Sequence, residues 1–113
     1  MAVKTIIYKT YGECRNSFLS SALDFEETLD HEREHFDKAV ALGYNPVYGF
    51  RVILDFPPVI LAGLVDFEGR VPEGQDLIDI CLAPKNPGEH DHSLAEKTRS
   101  ELTQQKNNPM PRS

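Results

Sequence analysis

The chain has no tryptophan, only two cysteines and no long hydrophobic run. Cys14 and Cys81 lack C-x-x-C spacing, so we expect free thiols, although a disulfide between them stays open. The richest apolar stretch, residues 59–65, fits a buried strand and is too short for a membrane helix. A signal peptide's hydrophobic region is also lacking at the N-terminus. These absences lead us to expect a cytoplasmic protein without membrane association.

Basic side chains are in the minority, with 12 Lys and Arg against 18 Asp and Glu and a net charge of −6. A protein that binds the phosphate backbone carries basic stripes, so no nucleic-acid partner is expected. A length of 113 residues with 40% hydrophobic content supports one globular domain with one core. We predict a single α+β domain over residues 1–105 and a disordered tail over residues 106–113.

The central segment, residues 22–42, carries the pattern of one long amphipathic helix. Gly43, followed by Asn45-Pro46, is a typical end signal. Glu32 falls on the inner margin of the apolar stripe and needs a partner there, because an unpaired buried carboxylate is unfavourable. His31 and His35 lie together beyond that margin, toward solvent. The stripe expected to pack on a sheet contains Ala22, Phe25, Leu29, Phe36 and Val40.

The segments around this helix are mostly β-rich. Gly63 inside one of them indicates a bulge or a close backbone approach. Strands are predicted at residues 3–8, 48–56, 59–67 and 76–82, with a loop at 83–91 and a helix at 93–105. The predicted fold class is α+β, with one long helix packed on a mainly antiparallel sheet of three to five strands and a short C-terminal helix. Because residues 59–65 are apolar on both faces and one helix covers only one face, we expect a homodimer or a protein partner.

Residues 31–35, His-Glu-Arg-Glu-His, have the spacing H-E-x-x-H. Two histidines four residues apart on a helix project from one face, so both imidazoles can reach one metal ion. This motif resembles that of the zincin class of zinc metallopeptidases. The resemblance implies a zinc ion held by His31 and His35, with Glu32 as the catalytic base that takes a proton from water. It covers five residues of 113 and therefore implies a site more strongly than a whole fold.

A zinc site requires at least three protein ligands, and the helix supplies two. The other two histidines, His90 and His92, lie close together in the predicted loop. Side chains of a His-x-His segment on an extended loop point in opposite directions, so we expect one of them to ligate and predict His90. His92, Glu89 or Glu96 are the alternatives for this position.

Several features of the chain depart from the zincin pattern. A single predicted strand precedes the motif helix, and Lys38 and Ala41 replace the glycine and histidine of the longer zincin motif. We predict a small metal-binding protein of hydrolase type, a zinc-dependent peptidase-like hydrolase. The alternative is a non-enzymatic acidic interaction protein, such as an inhibitor, immunity-type or accessory factor, that binds a macromolecule through its acidic helix or a sheet edge. A third interpretation is a structural metal site closed by all four histidines.

Overall fold

The structure, a computed structural model, describes residues 2–107, with side chains as far as residue 104. The chain forms two compact units that meet in sequence between Val71 and Pro72, and each is described by itself. The predicted α+β class with an antiparallel sheet is confirmed. The single domain over residues 1–105 stays a prediction, and residues 108–113 of the predicted tail lie outside the described residues. The first unit contains β1 (Val3–Tyr8), α1 (Tyr11–Arg15), a 3-10 turn (Phe18–Ser21), α2 (Phe25–Ala41), β2 (Pro46–Ile53) and β3 (Val59–Phe67).

The sheet has three antiparallel strands in the order β1-β2-β3. The strands predicted at 3–8 and 59–67 are confirmed. The strand predicted at 48–56 instead spans Pro46–Ile53, because Pro57 and Pro58 cannot continue a hydrogen-bonded ladder and the chain already turns before them. Arg51 pairs with Ala62 and Val52 with Ile60, which leaves a bulge at Leu61.

Helix α2 packs on one face of this sheet. Phe25 and Leu29 are 2% and 0% exposed and join a core with Phe50 and other residues of β2. Phe36 stacks on Tyr48, with ring centroids 4.3 Å apart and planes 3° from parallel. The inclusion of Val40 in the buried stripe was wrong, because Ala39 takes the inward position one residue earlier. The buried positions of α2 are Phe25, Leu29, Glu32, His35 and Ala39.

The start of the long helix differs from the prediction of residue 22. Ser17 caps a separate 3-10 turn, and its side chain accepts a hydrogen bond from the Leu19 backbone N–H. Ala22 is extended, with φ −70° and ψ 143°, so this residue separates the turn from α2. At the other end, Leu42 follows Ala41, and Gly43 adopts a φ of 91° that favours glycine. The end of the helix near residue 42 is therefore confirmed.

As far as residue 107, the second unit contains two helices, α3 (Gly74–Cys81) and α4 (Glu89–Asn107). The strand predicted at 76–82 was wrong. Ile78 and Cys81 lie on one helical face and pack with Ala95 of α4, a contact that the alternation of Ile78 and Ile80 did not reveal. The C-terminal helix predicted at 93–105 is confirmed, but it is not short, because α4 has 19 residues against 17 in α2. Within the described part of the chain, no helix is long and apolar enough to cross a membrane.

The predicted loop at 83–91 is shorter than expected, because α4 already begins at Glu89. The Asp91 carboxylate accepts a hydrogen bond from the Gly88 backbone N–H at 2.9 Å. A first-turn side chain that accepts a hydrogen bond from the N–H of the residue just before the helix is half of a capping box. This contact stabilises the early start of α4. His90 and His92 therefore lie in a helix and not in a loop.

Candidate metal centre

His31 and His35 lie one turn apart on α2, as the motif predicts. Their ring centroids are 5.0 Å apart and their planes meet at 79°. Two imidazoles bound to one tetrahedral zinc, with zinc–nitrogen bonds of about 2.0–2.1 Å, place their ring centres about 5 Å apart. The separation of the two rings therefore suits a single shared metal ion.

Burial distinguishes the three motif side chains. His35 is 6% exposed and Glu32 is 7% exposed, whereas His31 is half-buried. The inward position of Glu32 is confirmed, but the expectation that both histidines face solvent was wrong for His35. His35 is one of the five buried positions of α2, which are 25, 29, 32, 35 and 39. All three side chains make polar or ring contacts within the structure.

Gly63 of β3 sets how closely α2 approaches the sheet. A Cβ atom at this position would lie 2.7 Å from Cγ of Glu32 and 2.8 Å from Cγ2 of Thr28. Real side chains do not tolerate such distances, so only glycine admits the helix here without a shift. The close approach expected from the sequence is confirmed, with the bulge at Leu61 two residues away. Gly63 thus holds Glu32 against the edge strand of the sheet.

An open groove of about 460 Å³ runs between the first half of α2 and β3. His31 and Glu32 contribute to its lining, so both can meet a molecule in the groove. Asp24 and Glu27 add two carboxylates that the motif alone did not predict. They precede His31 by seven and four residues, a helical spacing that could have revealed them. The complete lining is Asp24, Glu27, Thr28, His31, Glu32, Ala62 and Gly63.

The two cysteines do not serve this chemistry. Both are free and buried, as the expectation of free thiols requires. Burial raises the pKa of the Cys14 thiol to about 12 and that of the Cys81 thiol to about 11. A thiolate is the form that attacks substrates and binds metals, so neither cysteine is suited to either role near neutral pH.

The predicted third ligand, His90, belongs to the second unit. It is exposed in the first turn of α4, and His92 is exposed two residues later. At about 100° per residue their side chains project in nearly opposite directions, so one helix face presents one of them. Glu96, an alternative ligand, forms an ion pair with Arg99. The assignment of His90 as the third ligand stays a prediction.

No protein-family model, curated protein or solved structure matches this chain significantly. The functional interpretation therefore depends on the residues of the site themselves.

Proposed function

We propose that the chain is a small metal-binding protein of hydrolase type, in which His31 and His35 hold a zinc ion. The observation that carries this proposal is the separation of 5.0 Å between the two ring centroids. Glu32, buried and adjacent in sequence, lines the same groove as His31. Imidazole is a ligand that suits zinc, and a glutamate beside the first histidine is the position of the base in the H-E-x-x-H motif.

Zinc, when bound, supplies a Lewis acid that lowers the pKa of water and polarises carbonyl groups. The role of Glu32 is to accept a proton at its carboxylate. Packing against Gly63 restricts the side chain, since its Cγ would lie only 2.7 Å from a Cβ at position 63. This restriction positions the carboxylate in advance, which a general base requires. His31 and His35 would act as ligands in their neutral form.

The third ligand is part of the proposal, because two imidazoles do not complete a zinc site. We assign it to His90, with His92, Glu89 or Glu96 as alternatives. A hydrolase of this kind keeps one coordination position open, whereas a structural site with all four histidines is closed. Replacement of His92 therefore distinguishes these two: it leaves zinc affinity unchanged in the hydrolase and lowers it in the closed structural site.

Isothermal titration calorimetry of the full chain with zinc tests the proposal. His31→Ala and His35→Ala should each abolish binding of one equivalent at neutral pH. Glu32→Gln should retain zinc binding and lose hydrolysis of a mixture of quenched-fluorescent peptides, because it removes a base and not a ligand. The matched control is Glu34→Gln on the exposed side of α2, which should change neither property.

Two results would refute the proposal. Zinc binding that survives both histidine replacements would place the metal elsewhere, and hydrolysis unaffected by Glu32→Gln would remove the base. Zinc affinity should also fall as the pH is lowered, because a protonated imidazole cannot ligate a metal. A binding constant independent of pH between 5 and 7.5 would contradict histidine ligation.

The alternative of a non-enzymatic acidic interaction protein is favoured by one surface. The solvent-exposed side of α2 carries a row of carboxylates: Glu26, Glu27, Asp30, Glu34 and Asp37. A surface of this charge suits a basic macromolecular partner. Under that function, Asp30→Lys with Glu34→Lys abolishes partner binding and Glu32→Gln does not. Zinc binding by the His31 and His35 pair separates the two functions, because only the metal-binding hydrolase requires it.

A further inference from the structure

The sheet face turned away from α2, named here the outer face, is apolar. Its edge strands β1 and β3 are partly exposed, whereas Val47 of the central strand is buried. Val3 and Ile7 of β1 are 48% and 47% exposed, and Val59 of β3 is 46% exposed. Their neighbours in sequence, including Ile6 and Ile60, point to the α2 side and join the core. Leu61, at the bulge, is 50% exposed. An apolar face of this kind is typical of an interaction surface.

Gly49 makes the centre of the outer face flat. A Cβ atom at this position would lie 2.6 Å from Cδ1 of Leu64 and 3.1 Å from Cδ1 of Ile7. The two neighbouring side chains therefore lie across the glycine. A flat surface of aliphatic side chains is what face-to-face packing of two sheets requires.

The charged residues of the outer face balance each other. Arg51 is opposite Ala62 in the strand pairing, whereas Asp66 is opposite Val47. The two side chains are thus separated by about 13 Å along the strands, at about 3.3 Å per residue. In a chain of net charge −6, this face carries one charge of each sign. A twofold axis parallel to the sheet, perpendicular to the strands and level with Gly49, would bring each Arg51 close to the partner's Asp66.

We propose that the outer face packs against the outer face of a second copy of the chain. The contact is isologous, so the two pairs between Arg51 and the partner's Asp66 form together. A second copy suits this surface because it supplies both the complementary charges and an equally flat apolar face. This proposal concerns assembly and does not depend on zinc binding.

The size of the face predicts a weak dimer. A strand of nine residues is about 30 Å long, and three strands are about 14 Å wide, which gives about 400 Å² per copy. Stable interfaces bury about 800 Å² per partner, so this contact is about half the standard size. The dimer should therefore dissociate reversibly on dilution.

Sedimentation velocity of the full chain over a concentration series tests the proposal. Wild type should show a reversible monomer–dimer equilibrium, and Ile7→Lys should raise its dissociation constant at least tenfold. The matched control is Val40→Lys, because Val40 is 52% exposed but lies on α2. This variant should dimerise like wild type. A concentration-independent monomer, or a dimer lost in Val40→Lys and retained in Ile7→Lys, would overturn the proposal.

Charge reversal provides a second test that does not alter the apolar residues. Arg51→Asp and Asp66→Lys should each raise the dissociation constant about three- to tenfold, because each places like charges opposite one another. The double variant should restore the wild-type value, because the pairs re-form with exchanged signs. Equal weakening in the single and double variants would show that Arg51 does not meet the partner's Asp66, which refutes the proposed twofold arrangement.

Discussion

Replacement of Gly63 by alanine should destabilise the first unit and displace Glu32. The added Cβ would lie 2.7 Å from Cγ of Glu32 and 2.8 Å from Cγ2 of Thr28, so α2 or β3 must move. Forcing an extra carbon into a packed interface destabilises a protein by about 1–3 kcal/mol. Because rotation of the Glu32 side chain can relieve part of this clash, we expect a loss of about 2 kcal/mol in the free energy of unfolding. Urea unfolding measures this change.

All four tyrosines lie in the first unit, so tyrosine circular dichroism in urea reports on that unit. Thr28→Ser removes the Cγ2 atom that the new methyl group would meet. In a double-mutant cycle, it should therefore recover part of the loss, about 0.5–1 kcal/mol. The control is Gly12→Ala in α1, where the nearest atom is 4.0 Å from the added Cβ and alanine should be neutral or stabilising. Equal stability of Gly63→Ala and wild type would refute the close approach of α2 to β3.

Three further predictions concern other parts of the molecule. Phe36→Ala should lower the free energy of unfolding, measured in urea, by about 2 kcal/mol, because the side chain is half-buried and stacked on Tyr48. Val40 is exposed, so Val40→Ala should change this free energy by less than about 0.5 kcal/mol. Iodoacetamide at pH 8 should leave Cys14 and Cys81 unmodified in the native chain and alkylate both in urea, since burial raises the pKa of each thiol to about 12 and about 11; rapid native labelling would contradict their burial. Because the pKa of Cys14 is raised, its stabilising contribution is complete below its ordinary value of 9.0 and is lost as the pH rises toward about 12. Between pH 8 and pH 11, the wild-type chain should therefore lose more free energy of unfolding than Cys14→Ala. Equal losses would contradict the raised pKa.

The sequence predicted those parts of the fold that local patterns determine. The strand at 59–67 follows from a nearly continuous apolar stretch, and the helix end near Gly43 follows from a glycine that adopts a positive φ; both are confirmed. The segment around Ile78 and Ile80 was predicted as a strand because the two isoleucines are two positions apart, which is the spacing of side chains on one face of a strand. Helix α3 forms there because Ile78 and Cys81 pack against Ala95 of α4, a contact between elements that a local pattern does not contain.

The candidate site shows the same division between local and non-local information. The spacing of His31 and His35 predicted their proximity, and the inward position of Glu32 followed from helical arithmetic. The burial of His35 did not, because it depends on the surroundings of α2 and not on its own sequence. The pairing of Gly63 with Glu32 joins two segments about 30 residues apart, and a single sequence indicates only that something approaches the glycine closely.

Nuclear magnetic resonance of the histidine side chains during a zinc titration tests the central claim most directly. The chain has four histidines, so the ring nitrogen signals can be assigned by single replacements. We predict that the signals of His31 and His35 change together and reach completion at one equivalent of zinc, with His90 as the third ring to respond. Unchanged signals of His31 and His35 after one equivalent, or changes confined to His90 and His92, would contradict a metal centre on α2.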